Sequence, residues 1–188
     1  SGQYISTQDS ENLIYQFSGP GAYWVTMNIC GPYCCDSDSI LFYVNDNPDV
    51  IFDSVNHILC YGDSTGFIDI TMSGGTSPYS FNWTGPNGFT SNDEDINSLY
   101  FGTYYLEVED VNLCIIRDTI ELFEPTDIIL SSIDTNILCY GDSTGSIDLT
   151  VSGGVTPYTY QWSNGEITQD INNLPEGIYN VIVTDNNG

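Results

Sequence analysis

The nine residues ILCYGDSTG stand at 58–66 and again, unchanged, at 137–145. Cys139 follows Cys60 by 79 positions, too long for a solenoid unit and about the length of one small β domain. The match runs on: GFIDITMSGGTSPYSFNW (66–83) aligns without a gap on GSIDLTVSGGVTPYTYQW (145–162). Each copy reads as an alternating strand, a Gly-Gly turn, a Pro-Tyr entry and a second strand ending in Trp. A chain that repeats a module of this length in tandem is constrained to fold as successive β domains.

After the Trp the copies differ in one loop. TGPNGFTSNDED (84–95) stands against SNGEITQD (163–170), four residues shorter, and the offset falls to 75. A hairpin tip tolerates such a change. The copies then realign on L-x-x-G-x-Y-x-[LV]-x-V, with Gly102 and Tyr104 in the first and Gly177 and Tyr179 in the second. A Gly then a Tyr entering a strand predicts a tyrosine corner, in which the phenol ties the strand entry to nearby backbone.

The first copy continues as CIIRDTIELFEP (114–125), a last strand closed by Pro. In the second, the counterpart of Cys114 falls one position past Gly188, so the natural chain is expected to continue there. The segment 17–44 carries the same G-x-Y-x-V entry at Gly21, Tyr23 and Val25, and its CCDSDSILF echoes CIIRDTIEL. The sequence thus predicts an all-β chain of tandem Ig-like β-sandwiches joined by short linkers: the back half of a β domain over 1–46, a complete repeat over 47–124, and a second repeat over 125–188 without its last strand. The opening SGQYISTQDS has no apolar h-region and is not expected to be the biological start.

Charge narrows the partners. Against 26 acidic residues stands one cation, Arg117, for a net charge of −25. Such a chain repels phosphate backbones and anionic lipid, which excludes nucleic acid as an expected partner. No apolar run approaches ~18 residues, so direct membrane insertion is not expected. The acids must be solvated, screened or bound to cations. Six cysteines in a β-rich chain favour disulfides and an extracellular setting. The repeat map pairs Cys60 with Cys114, a crosslink worth roughly 3–4 kcal/mol in the chain-entropy picture. Of Cys30, Cys34 and Cys35, at most one pair can form locally.

Catalysis is not expected. His57 is the only imidazole, is not repeated, and has no nucleophile motif beside it. Asp93-Glu94-Asp95 could supply a glycosidase-like pair, but these acids sit in the inserted hairpin and only Asp95 recurs, as Asp170. Trp83 and Trp162 end equivalent strands. They fit the large core residue of a sandwich, and the alternative of stacking on sugar rings stays open. Trp24 alternates away from Val25 toward an exposed face.

The pattern C-x-G-D-S-T-G-x-I-D-[IL]-T-x-S-G-G-x-x-P-Y-x-[FY]-x-W, followed by I-N-x-L and G-x-Y-x-[LV]-x-V-x-D, resembles the SprB-type repeat over about 48–188. That repeat occurs in very large cell-surface proteins of Bacteroidetes, among them a gliding-motility adhesin. The first segment more weakly resembles the back half of a PKD-like domain. The resemblance implies export by the type IX system and a place in a long extracellular array, with neighbouring repeats of the same chain as first partners and surface polysaccharide or like filaments as further ones. It singles out no ligand-binding residue. The function it implies is structural: spacer repeats of an adhesin or surface filament, with carbohydrate-binding accessory domains of a secreted enzyme, or a self-assembling filament subunit, as alternatives. The linker NDNP (45–48) resembles the calcium-binding linker of cadherins, which implies Ca²⁺ near Asp46 and Asp49 and, in the second linker, near Glu124 and Asp127. The D-[ST]-[AILVMT] pattern of Bacteroidetes O-glycosylation implies Ser64, Ser143, Thr119, Ser39 and Ser54 as acceptors.

Overall fold

The computed structural model describes residues 16–188; the first fifteen residues of the 1–46 segment lie outside them. The described chain is strand and turn throughout, with one single-turn 3₁₀ element at Pro86–Gly88. The all-β expectation holds.

Strands β1 (Gly21–Cys30) and β2 (Cys35–Val44) form an antiparallel hairpin running from Gly21 opposite Val44 to Cys30 opposite Cys35. At its tip Cys30 and Cys35 are joined by a disulfide, so of the three clustered cysteines one pair forms and Cys34 is left over. The hairpin is mostly exposed, Trp24 (69%) included, as its alternation away from Val25 predicts.

The first repeat contains β3 (Pro48–Asn56), β4 (Gly66–Gly74), β5 (Ser80–Thr84), β6 (Thr90–Ser91), β7 (Ile96–Leu99), β8 (Gly102–Glu109) and β9 (Ile115–Leu122). They make two sheets, ordered β3-β4-β7 and β6-β5-β8-β9. Period-two alternation sets which side chains are buried: Gly66, Ile68 and Ile70 on β4, and Tyr104, Leu106 and Val108 on β8. Ile96, Leu99, Trp83 and Leu122 complete the buried set.

The second repeat contains β10 (Ile129–Thr135), β11 (Gly145–Ser152), β12 (Thr159–Trp162), β13 (Ile171–Leu174) and β14 (Val181–Thr184). Its sheets are ordered β10-β11-β13 and β12-β14. Leu149, Ile171 and Leu174 from the first sheet and Trp162 from the second form one core cluster, flanked by Ile147, Val151, Tyr160, Tyr179, Val181 and Val183. A cluster fed by both sheets is the interior of a two-layer sandwich.

The repeats share their irregularities as well as their strands. The β4–β7 pairing slips between Gly66 and Phe67, and the β11–β13 pairing slips between Gly145 and Ser146. Just past the last paired residue of each, an amide finds a carboxylate: Ile70 N–H donates to Asp95 at 3.0 Å, and Leu149 N–H to Asp170 at 2.9 Å. This explains why Asp95 alone recurs from the Asp93-Glu94-Asp95 run. By contact density the chain divides into two compact units: residues up to Asp49 with Met72–Ser80 and Val108–Ile116, and Val50–Thr71 with Phe81–Glu107 and Arg117–Gly188.

Candidate functional site

The repeated polar residues are the natural place to look for chemistry, and several of them turn out to hold backbone. Tyr104 donates its hydroxyl to the carbonyl of Tyr100 at 2.9 Å, Tyr179 to Pro175 at 2.9 Å, and Tyr23 to Gly19 at 2.7 Å. Three corners of identical four-residue reach bear out the Gly-x-Tyr reading in both repeats and in the hairpin. The Tyr104 side chain sits nine-tenths and more out of solvent, and that burial pushes its pKa up.

The Gly-Gly turns are built where a linker passes close. A Cβ on Gly74 would lie 2.4 Å from the Asn47 carbonyl oxygen, and one on Gly153 would lie 1.8 Å from that of Asp127. All four glycines have positive φ, so both sterics and backbone conformation demand glycine. The peptide bonds preceding Pro78 and Pro157 are cis. The tyrosine after each proline then turns back onto the Gly-Gly pair: Tyr79 donates to the Gly74 carbonyl at 2.5 Å, and Tyr158 to that of Gly153.

A carboxylate that the sequence did not single out completes this end of each repeat. Asp110 accepts from the Thr76 N–H at 3.0 Å on one oxygen and from the Asn112 and Cys114 N–H groups at 2.8 and 2.9 Å on the other. Asp185 does the same with Val155, Asn187 and Gly188. Burial alone would raise the Asp110 pKa, but the bonds from Cys114, Thr76 and Asn112 outweigh it and hold the carboxyl below its ordinary value. For Asp185 the Val155 bond leads in the same direction. The closing V-x-D of the repeated pattern was the visible signal for both.

The opposite feature is the nonapeptide loop. Asp63 N–H donates to the Cys60 carbonyl and Asp142 N–H to that of Cys139, each at 3.1 Å, with Gly62 and Gly141 at φ of 79° and 85° inside the turn. Thr65 accepts from the Leu59 N–H at 2.9 Å and Thr144 from that of Leu138 at 3.4 Å, the local capping expected of this loop. Gly66 lies against Leu122 and Leu99, where a Cβ would meet both at 2.8 Å.

The tryptophans are core. Trp83 is fully buried and Trp162 is 4% exposed; their indoles donate to the carbonyls of Glu94 at 3.3 Å and Thr168 at 2.8 Å. The core reading of the pair therefore wins over the sugar-stacking one. His57 is also structural: Nδ1 accepts from the Phe123 N–H at 3.3 Å and the two rings lie 5.2 Å apart.

The remaining candidate residues are not gathered into one place. Cys60 and Cys114 are half-buried and carry free thiols in this structure, and Cys34 and Cys139 are exposed thiols. Burial and the adjacent Asp110 carboxylate raise the Cys114 pKa. Glu124 accepts from the Gly62 N–H at 2.8 Å and Asp46 from the Asn47 N–H at 3.0 Å. Among the described residues, no group of three or more His, Cys, Asp or Glu is arranged to hold a metal ion. Ser143, Thr119 and Ser39 are exposed, and Ser64 and Ser54 half-exposed. On the β3-β4-β7 sheet, Asp69 is pushed up by burial and by the neighbouring Asp95 and Asp53 carboxylates, and Thr71 donates to Asp53 at 2.5 Å.

A two-layer antiparallel sandwich, used in tandem and with its repeated polar groups bonded to its own backbone, is a structural repeat domain. The SprB repeat family model matches this chain twice, at 53–88 and 131–166, and these two stretches are SprB repeats. The repeats suggest a repeat region of a surface protein of the Bacteroidetes type. No curated protein matches it. No described helix is long and apolar enough to cross a membrane.

Proposed function

We propose that this chain is a run of spacer repeats in a long extracellular adhesin or surface filament serving attachment or gliding, and that it works by length and stiffness. The observation that carries this is where the repeated chemistry is spent. Tyr104 and Tyr179, Trp83 and Trp162, Asp110 and Asp185, and Thr65 and Thr144 all bond to the backbone of their own repeat. What was duplicated is scaffold.

On this reading the PKD-like back half over 1–46, the repeat over 47–124 and the repeat over 125–188 follow one another along the array, exported by the type IX system. Each repeat adds roughly 35–45 Å if its strands run near the long axis. Repulsion within a net charge of −25 favours the extended form and opposes self-association, most strongly at low salt. Calcium at Asp46, Asp49, Glu124 and Asp127 would relieve that repulsion at the linkers, and glycans at Ser64, Ser143, Thr119, Ser39 or Ser54 would add to the coat. The reading is tested by immunogold labelling of intact cells with antibody to this chain. Gold tens of nanometres out from the outer membrane is expected; gold confined to the cell interior overturns it.

A second reading is supported by one feature. An open groove of about 460 Å³ on the first repeat is lined by Asn82, Tyr105, Glu107, Arg117, Asp118 and Thr119, with Tyr105 55% exposed. An exposed ring among polar groups suits a sugar. Saturable binding of cell-surface polysaccharide, lost in Tyr105→Ala, would make the repeats carbohydrate-binding modules.

A further inference from the structure

The nonapeptide is identical in both repeats at positions that its own fold does not need. Gly62, Thr65 and Gly66 have structural duties there, but Leu59 and Tyr61 remain 53% and 57% exposed, and Leu138 and Tyr140 are 85% and 98% exposed. Part of that difference comes from the segment just after β9, where the Phe123 carbonyl and the Glu124 carboxylate accept from the Ile58 and Gly62 amides. The rest of the loop faces outward in both repeats.

One bond shows what it faces. The side-chain amide of Asn187 donates to the Leu59 carbonyl at 2.5 Å, across 128 positions of sequence. Both partners are held in place by their own repeats. Leu59 is pinned through its N–H to Thr65, and Asn187 is presented by Asp185, which accepts the Asn187 N–H at 2.9 Å. The linker enforces the same meeting. Glu124 is bonded to Gly62 of the first repeat's loop, and the Thr126 carbonyl accepts from Gly154 in the second repeat's Gly-Gly turn at 2.7 Å. Three residues span at most about 10 Å, so the two ends are tethered within that reach.

The donor also recurs. Asn112 occupies the place of Asn187 in the turn, its N–H held by Asp110 as that of Asn187 is by Asp185. Every repeat thus carries an acceptor, the Leu-Cys-Tyr tip of the nonapeptide, and a donor, the Asn of an Asp-x-Asn turn. From this we infer that the nonapeptide tip is a docking surface for the Asp-x-Asn turn of the following SprB repeat, and that it locks the joint between them. The Leu138-Cys139-Tyr140 tip is the same surface, ready for the Asp-x-Asn turn of another repeat. This inference rests on the spacer reading and supplies its stiffness.

The test is ¹⁵N relaxation of the full chain, comparing amides of β4 and β8 with those of β11 and β14. With the joint locked, both sets fit one rotational diffusion tensor. Asn187→Ala and the isosteric Asn187→Asp, neither of which can donate, should split them into two faster-tumbling sets while the Trp162 indole signal stays native. Asn112→Ala, which leaves the Leu59 bond intact, should keep one tensor. Two tensors in the unmodified chain, one tensor in both Asn187 variants, or equal loosening by Asn112→Ala would each overturn the inference. A loose joint leaves the spacer reading standing, whereas failure of the cell-surface labelling removes that reading and leaves the joint as measured.

Discussion

The Thr76 amide is bonded to the Asp110 carboxylate across 34 positions of sequence, at 3.0 Å, and the Val155 amide to Asp185 across 30, at 2.8 Å. Each carboxylate gathers three backbone amides and so joins the Gly-Gly turn to the turn after β8 or β14. Alanine at Asp110 would strand all three donors, two of them in a half-buried turn. Asp110→Ala should therefore lower the urea midpoint, read by Trp fluorescence, by more than Asp110→Asn, which keeps an accepting oxygen. A midpoint unchanged in Asp110→Ala would mean that water replaces the carboxylate at no cost.

The same bonds fix an acid dependence. Asp110 and Asp185 have folded pKa values below the unfolded one, so their contribution is present above the unfolded value of about 3.9 and is lost as pH falls through the folded values. Asp69 has the opposite sign: its pKa is raised by burial first and then by Asp95 and Asp53, so protonating it relieves repulsion and adds stability as pH falls through its raised value. Carboxyl NMR titration should find Asp69 protonating before Asp110 and Asp185. Asp69→Asn should gain stability at neutral pH and flatten the curve just above pH 4. A titration order with Asp110 ahead of Asp69 would sink this account.

Two glycines separate strain from collision. Gly62 has φ of 79° with nothing near its Cβ position, while Gly74 has φ of 62° and the Asn47 carbonyl 2.4 Å from that position. Gly62→Ala should cost only the left-handed backbone penalty, about 1–2 kcal/mol. Gly74→Ala must also displace the linker and should cost more, at least about 3 kcal/mol, since the collision adds to the same penalty. Chemical denaturation of the two variants compares them directly.

Much of this was legible before the structure, because a duplication inside one chain marks which residues matter. The strands, the Gly-Gly turns, the tyrosine corners at Tyr104 and Tyr179 and the core place of Trp83 and Trp162 follow from alternation and spacing. Asp110 and Asp185 were in view as the last letter of the pattern, but a carboxylate that bonds backbone 30 or more positions away leaves no local periodicity. Asn187 was harder still, since its partner Leu59 lies in the other repeat and acts through a main-chain carbonyl, which sequence identity does not report.

The corner hydroxyls can be priced singly. Tyr104→Phe removes one bond, to the Tyr100 carbonyl, and leaves the ring packed at 5.4 Å against Phe89. The loss should be about 1 kcal/mol. Tyr179→Phe, with its hydroxyl more exposed, should lose less, because water can serve the Pro175 carbonyl. Equal losses in the two variants would show that burial does not set the strength of the corner.

The four thiols differ in reach and in charge. Cys34 and Cys139 are exposed, Cys60 and Cys114 half-buried, and the Cys114 thiol is pushed up by burial first and by Asp110 second. Only the thiolate is nucleophilic. In reduced protein, alkylation followed by peptide mass should label Cys34 and Cys139 first and Cys114 last, with the Cys114 rate still climbing at pH values where an ordinary thiol, of pKa about 8.5, has levelled off. Asp110→Asn should speed Cys114 at neutral pH, because one of the two causes of its raised pKa is gone. The proposed Cys60–Cys114 crosslink makes a separate demand on native material: neither cysteine should react until reductant is added, and their peptides should travel as one mass. Prompt labelling of both without reductant would leave the repeat held by its core, its corners and its carboxylate clasps alone.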